Sequence, residues 1–229
     1  MDKYSASELA PLVLFADNHL LAVNKPPGLL SQDSGTGLFN LEDWAREWVR
    51  VDKNKSGAIF LNAVHRIDKA VSGVVLFART SKALSRLNED IRKRNCRKIY
   101  HALVEKTPNK FSDKLIHWLS HEHHRAEVCR EGDKGAQCAV LIYRTLGEKE
   151  GRTLLEVDLE TGRYHQIRAQ LSAIGCPIAG DEKYGAKCKS KSGDIALHHR
   201  KLEVIHPTLK KSVIIEAPYP SNSSWWENI

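Results

Sequence analysis

Short apolar runs of about four to eight residues, each cut off by Gly, Pro, Asn or Asp, dominate this chain and favour strands over long helices. Pro11 to Phe15 and Leu20 to Asn24 are two such runs, separated by the hairpin-like Ala16-Asp17-Asn18-His19. Lys25-Pro26-Pro27-Gly28 then stops regular structure. Val74 to Phe77 reads as a buried strand, and Ile99 to Val104, Ala139 to Thr145 and Thr153 to Leu159 read as further strands. Ile195 to Ile205 and Ser212 to Glu216 read as two late strands joined by a turn at His206-Pro207. Helical spacing is confined to a few places. Asn40 caps a stretch with Leu41, Trp44 and Trp48 on one face, the tryptophans reading as core, and Ser81 caps another with Leu84, Leu87 and Ile91. His165 to Ile174 places Ile167, Leu171 and Ile174 inward, with Gly175 as C-cap. Strands without regular helical alternation predict an α+β fold, a mixed, mainly antiparallel sheet with flanking helices.

Composition narrows the class. With 229 residues, 41% apolar and 28% charged, the chain is an ordinary globular protein, long enough to bury a core without disulfides or a structural metal. No Pro/Ser-rich linker and no repeat divides it, so a single domain over 1–229 is expected, with the polar, irregular stretch Lys106 to Gly135 as an excursion. The five cysteines follow no CxxC spacing, which indicates neither a disulfide framework nor a zinc ribbon and predicts a reduced, cytoplasmic protein. The apolar stretch Leu9 to Ala16 is interrupted by Pro11, closed by Asp17 and lacks a basic flank, so it does not read as a secretory leader. No run approaches the roughly 20 apolar residues of a membrane span. Lys and Arg number 35 against 28 Asp and Glu, a net charge of +7 that hints at a polyanionic partner.

The placement of that charge is more informative. Between Ile91 and Lys98 five of eight residues are basic (Arg92, Lys93, Arg94, Arg97 and Lys98) and none is acidic, a pattern that fits either phosphate binding or a solvated helix end. Lys187, Lys189 and Lys191 lie among Ser and Gly and read as a mobile basic loop.

Three segments could carry chemistry. His65-Arg66-Ile67-Asp68-Lys69-Ala70-Val71-Ser72-Gly73 is a polar knot before an apolar strand. Asp68, flanked by Arg66 and Lys69, could serve as nucleophile or base, or could cap a turn. The contiguous His-Arg-Asp of kinase catalytic loops is absent, as is a GxGxxG loop. Thr161-Gly162-Arg163-Tyr164-His165-Gln166-Ile167-Arg168 opens a helix, where Arg163 and Arg168 add to the anion preference of a helix start or partner a buried acid. Arg97-Lys98-Ile99-Tyr100-His101-Ala102-Leu103-Val104 is a strand either of whose faces could be core. The histidine-rich His117 to His124 does not match HExxH order, so no metal site is expected. Ser72 lacks a G-x-S-x-G elbow and reads as a turn hydroxyl.

Taken together, these segments resemble the RluA-type family of RNA pseudouridine synthases. The resemblance is collinear from about Leu12 to Pro220: Leu20 to Gly28, His65-Arg66-Ile67-Asp68 with Ser72-Gly73, Arg97 to Val104, Thr161 to Arg168, Gly180-Asp181-Glu182-Lys183-Tyr184-Gly185, Leu197-His198 and His206-Pro207 follow in family order. Val71 stands where the family usually has Thr, and Lys106 where Gly is common.

The resemblance implies a pseudouridine synthase catalytic fold without the separate N-terminal RNA-binding domain that many members carry. It also implies an isomerase acting on specific uridines of structured ribosomal or transfer RNA, needing no cofactor. By the same resemblance Asp68 is the catalytic carboxylate, Arg168 the guanidinium that pairs with it, and Tyr100 the aromatic that stacks on the target base. Arg66 would help replace the flipped nucleotide. Lys25, Arg92, Lys93, Arg94, Arg97, Lys98 and Arg163 would contact RNA. RNA is then the partner, with no membrane or obligatory protein partner and a monomer expected. A non-catalytic RNA-binding protein on the same scaffold is the alternative, and a metal-dependent hydrolase built on the histidines a third.

Overall fold

The computed structural model describes residues 5–54, 56–190, 192–221 and 223–227. In chain order the elements are α1 (Ala6–Leu9), β1 (Val13–Ala16), β2 (Leu20–Lys25), α2 (Leu41–Asp52), β3 (Asn62–Ala63), β4 (Ser72–Ala78), α3 (Ser81–Arg92), β5 (Arg97–Val104) and β6 (Ser112–Glu122). They continue with β7 (Arg125–Cys129), β8 (Gln137–Lys149), β9 (Arg152–Leu159), α4 (Gln166–Ala173), β10 (Leu197–Ile205) and β11 (Ser212–Glu216). This is the expected α+β architecture, rich in antiparallel strand pairs and poor in helices. Among the described residues no helix is long and apolar enough to cross a membrane.

The chain forms two compact units: residues 1–96 with 199–220, and residues 97–198 with 221–229. In the first unit β1, β2, β4 and β10 are neighbours in that order, with β3 also on β4 and β11 on β10. Local polar chemistry sets the turns. Asp17 Oδ1 accepts from the backbone N–H of His19 and Leu20, both at 2.7 Å, and so shapes the β1–β2 hairpin. His206, whose Nδ1 accepts from Leu209 N–H at 2.9 Å, donates through Nε2 to Asp17 Oδ2 at 2.7 Å. Asn40 caps α2 as expected, accepting from Asp43 N–H at 3.1 Å. The cap of α3 is Thr80, one residue before the expected Ser81, because its hydroxyl accepts from Ala83 N–H at 3.1 Å. Leu20, Ala22, Leu76, Leu87, Leu202 and Ile215 share one core, and every residue of β2 and β4 is buried. Trp44 is buried as expected, whereas Trp48 is half-buried. Gly73 is the close-approach point of this sheet: its φ is +113°, and a Cβ there would lie 2.3 Å from the carbonyl oxygen of His199.

In the second unit the strand order is β5, β9, β8, β6, β7, each neighbouring pair antiparallel. Strand β9 alternates strictly, with Thr153, Leu155, Val157 and Leu159 buried. The stretch Lys106 to Gly135, expected as an irregular excursion, instead supplies the β6–β7 hairpin. Its pattern is faint because Leu115, Leu119 and Ala126 are the only buried residues of its two strands. Helix α4 ends with Gly175 at φ +75°, whose N–H bonds Ser172 O at 2.9 Å while Cys176 N–H bonds Leu171 O at 3.0 Å, a Schellman closure. Its buried row includes Gln166 and Gln170, which donate to strand carbonyls: Gln166 to Val140 at 3.1 Å, and Gln170 to Leu115 and Ala139 at 3.2 Å each. The basic loop after Tyr184 is tied down. Glu105 accepts from the N–H of Lys187 (2.9 Å) and Cys188 (2.7 Å), and Lys189 pairs with Glu182 at 2.8 Å. Lys191 lies outside the described residues.

Candidate active site

In the first unit Asp68 sits on the loop between β3 and β4, and that loop is pinned residue by residue. Ser31 is buried; its hydroxyl donates to Ile67 O at 2.8 Å and accepts from Ile67 N–H at 3.2 Å. Gly28 N–H donates to Lys69 O at 2.8 Å, and Val71 N–H closes a turn on Asp68 O at 3.0 Å. Ahead of the loop, His65 Nε2 accepts from Leu76 N–H at 3.3 Å, and its ring meets that of His199 edge-on with centroids 5.2 Å apart. Arg66 and Lys69 are exposed and Asp68 is half-buried. The carboxylate thus stands on backbone whose neighbours leave it little freedom.

Lys25 belongs to this construction rather than to a nucleic-acid contact. Its side chain is fully buried, and the ammonium donates to the carbonyls of Leu29 (2.7 Å), Pro26 (2.9 Å) and Lys69 (3.2 Å). Burial pushes its pKa down from 10.5 to about 7, and the negative charge of Asp68 opposes that fall. The expectation that Lys25 touches RNA is therefore corrected. An ammonium with three carbonyl acceptors and no solvent exposure has no donor left for a phosphate. It ties the loop after β2 to the loop that carries Asp68.

The second unit holds the other two residues assigned to catalysis. Tyr100 lies buried on β5, opposite Val157 of β9. Arg168 lies buried on α4, where Nε donates to Asp181 Oδ2 at 2.7 Å and Nη2 to Asp181 Oδ1 at 2.8 Å. The ring of Tyr184 covers the guanidinium at 4.9 Å. The start of α4 is unusual: His165 adopts the left-handed conformation (φ 49°), stacks on Tyr164 with centroids 3.9 Å apart, and meets the Tyr184 hydroxyl at 3.0 Å through Nδ1. Gln166 substitutes for a cap, its side-chain oxygen accepting from Arg163 N–H at 3.0 Å and Thr161 Oγ1 at 2.7 Å. Asp181 was legible only as part of a collinear motif; nothing in its local pattern signals a partner thirteen residues earlier in the chain.

The expected RNA-contacting cations lie on the surface of their own units. Arg92, Lys93 and Arg94 close α3, with Lys93 paired to Glu89 at 2.6 Å. Arg97, at the start of β5, pairs with Asp158 at 2.7 Å, and Lys98 follows it half-buried. Arg163 is exposed and donates to Cys138 O at 3.0 Å. Exposed ion pairs of this kind are worth at most about 1 kcal/mol, so a phosphate can exchange into them. In the histidine-rich stretch, His123 and His124 form the two-residue turn of the β6–β7 hairpin, both at positive φ, while His117 accepts from Gln170 Nε2 at 3.1 Å. Among the described residues no three His, Cys, Asp or Glu side chains gather to hold a metal.

Comparison with known proteins draws these segments together. The sequence model described as RNA pseudouridylate synthase matches residues 19–173, which include the Asp68 loop, Tyr100 and Arg168. The chain is 31% identical over 216 residues to an uncharacterized RNA pseudouridine synthase of Bacillus subtilis, covering 92% of this chain and 69% of that one. It is 30% identical over 214 residues to the dual-specificity RNA pseudouridine synthase RluA of Escherichia coli, covering 90% and 92%. The solved structure of human RNA pseudouridylate synthase domain containing 4 shares the fold, with a TM-score of 0.79 at 24% identity over 94% of this chain and 91% of that one. With more than half of its length matched by one family and its antiparallel fold shared, the chain belongs to the RluA-type RNA pseudouridine synthases, an isomerase family.

Proposed function

We propose that this protein converts specific uridines of structured ribosomal or transfer RNA to pseudouridine, with Asp68 as the catalytic carboxylate. The observation that carries the reading is the pinned Asp68 loop. Buried Lys25, Ser31 and the Gly28 amide all hold backbone within one residue of that side chain, an investment that a simple surface turn does not need. Tyr100 stacks on the target base, Arg168 orients Asp68, and Arg66 fills the place of the displaced nucleotide. Arg92, Lys93, Arg94, Arg97, Lys98 and Arg163 hold the RNA backbone. The chemistry detaches uracil from its ribose, turns the ring and rejoins it through carbon, with no net redox change and no group donor. The enzyme acts as a cytoplasmic monomer.

The test is to map pseudouridine across total RNA from cells with and without the gene, complemented by wild type or by Asp68→Asn. Loss of one or a few sites, restored by wild type alone, is the expected outcome. An unchanged map would favour the non-catalytic RNA-binding reading, and restoration by Asp68→Asn would remove Asp68 from catalysis.

A further inference from the structure

We propose that a cleft in the first unit, remote from Asp68, binds a phosphorylated nucleoside, with the phosphate between Lys53 and Arg79 and the base against Phe60. The cleft has a volume of about 400 Å³ and lies between the β1–β2 hairpin, the end of α2, the segment 58–60 and the start of α3. That volume falls within the range of small-ligand sites. Strand β4 separates it from the loop that carries Asp68: Ser72 begins the strand just after that loop, and Ala78 ends it beside Arg79. At ~3.3 Å per residue the strand sets the cleft about 20 Å from the loop. The proposal therefore stands apart from the role of Asp68.

One wall of the cleft favours an anion. Arg79 is half-buried and held in place: its backbone N–H donates to His19 O at 2.9 Å, and its Nη1 donates to Asp17 O. Among the described residues its Nε and Nη2 have no acceptor, so part of the guanidinium fork is open to a ligand. The Asp17 carboxylate does not compete for it, being taken by the amides of His19 and Leu20 and by His206. Lys53 pairs with Asp52 at 2.9 Å, an exposed pair weak enough for a phosphate to displace. The Thr80 hydroxyl accepts from Ala83 N–H at 3.1 Å and keeps its own proton to donate, and exposed Asn18 adds a side-chain amide. Two cations and two neutral donors suit the oxygens of a phosphate. The other wall is apolar, formed by Ile59 and by Phe60, whose side chain is 42% exposed. An aromatic face left in solvent beside two cations fits a flat ring carried on the same molecule as the phosphate. A bare anion would leave Phe60 unused, and an apolar ligand would leave both cations unmatched. A free nucleotide and a strand of RNA present this same chemistry.

The test uses the full chain, nitrogen-labelled for amide NMR, and three probes: inorganic phosphate, adenosine monophosphate, and oligoadenylate, which contains no uridine and so is not a substrate. Adenosine monophosphate or oligoadenylate should shift the amide signals of Asn18, Lys53, Phe60 and Thr80. Phe60→Ala should weaken that binding by about 10-fold through loss of stacking. Lys53→Met should weaken it by about fivefold, and by less as salt is raised. Shifts with the free nucleotide support the proposal and name a nucleotide as ligand, whereas shifts with oligoadenylate alone support it and name an RNA strand. If inorganic phosphate binds as tightly as adenosine monophosphate and Phe60→Ala changes nothing, the cleft is a plain anion site and the proposal is overturned. It is equally overturned if no probe shifts these four signals, or if the shifts survive both substitutions. Should near-UV circular dichroism show that Phe60→Ala does not fold, Phe60→Leu, which keeps apolar bulk without a flat ring, is judged by the same criteria. Because no probe contains uridine, each outcome is independent of the pseudouridine map.

Discussion

Replacing Lys25 with Met converts the burial of an ammonium into a measurable pH dependence. Met keeps an unbranched side chain and removes the charge. In the folded protein burial lowers the pKa of Lys25 from 10.5 to about 7, which penalises the charged form by roughly 5 kcal/mol at 1.36 kcal/mol per pH unit. The sign follows from proton counting. Between about 7 and 10.5 the unfolded chain still holds a proton that the folded chain has released, so wild-type stability rises with pH in that window. Below 7 the amine is protonated in both states and adds no slope. The Met variant has nothing to titrate, so subtracting its unfolding free energy cancels the other ionisable groups. Urea unfolding followed by tryptophan fluorescence, from about pH 6 to 10, should give a difference that is flat at first and then climbs by about 4 kcal/mol. At about pH 6 the two proteins should lie within roughly 3 kcal/mol of each other, because three charge-assisted bonds to carbonyls nearly offset the burial penalty. A difference that stays flat to pH 10 would mean that water reaches the amine, and the account of Lys25 as a buried staple would be wrong. The Met variant should also lose turnover through slackening of the Asp68 loop while still binding RNA.

Gly73→Ala should destabilise the protein by at least ~3 kcal/mol in urea unfolding, since it sets a methyl against the His199 backbone at positive φ; an unchanged midpoint would contradict the close approach. Burial by itself would raise the carboxyl pKa of Asp194, but hydrogen bonds from Ser190, Ser192 and Ser223 bring it below 3.8. Its contribution is therefore present above about pH 4 and is lost as the pH falls through the folded value. Asp194→Asn should cost about 2–3 kcal/mol at pH 7 and progressively less below pH 4, and a cost that does not shrink in acid would refute this. Tyr100→Phe should keep RNA binding and slow turnover by about 10-fold through loss of the hydroxyl; loss of binding would contradict its stacking role.

Much of this architecture was legible because its signals are local. Alternation in Thr153 to Leu159, the Asn40 cap and the Gly175 terminus each depend on residues a few positions apart, and each element formed where expected within a residue or two. The β6–β7 hairpin escaped because its exposed polar faces carry too few buried side chains to produce a period. Lys25 was misread for a different reason. A lysine beside Pro-Pro-Gly looks like a surface cation, and only the convergence of three backbone carbonyls shows why it is buried. Asp181 and Tyr184 meet Arg168 through tertiary packing, which no spacing rule encodes.

The order in which the chain visits its two units has a consequence for folding during synthesis. The first unit is left at Cys96 and resumed at His199, and the second is resumed at Ser221. Strand β4 therefore waits for β10, and Asp194 waits for the hydroxyl of Ser223, so neither unit is complete until residues 199–227 have cleared the ribosome. Such long-range closure makes for slow folding. It also means that a nascent chain carrying Asp68, Tyr100 and Arg168 has every residue assigned to chemistry yet lacks β10, the neighbour of β4. RNA modification then begins only with a finished fold.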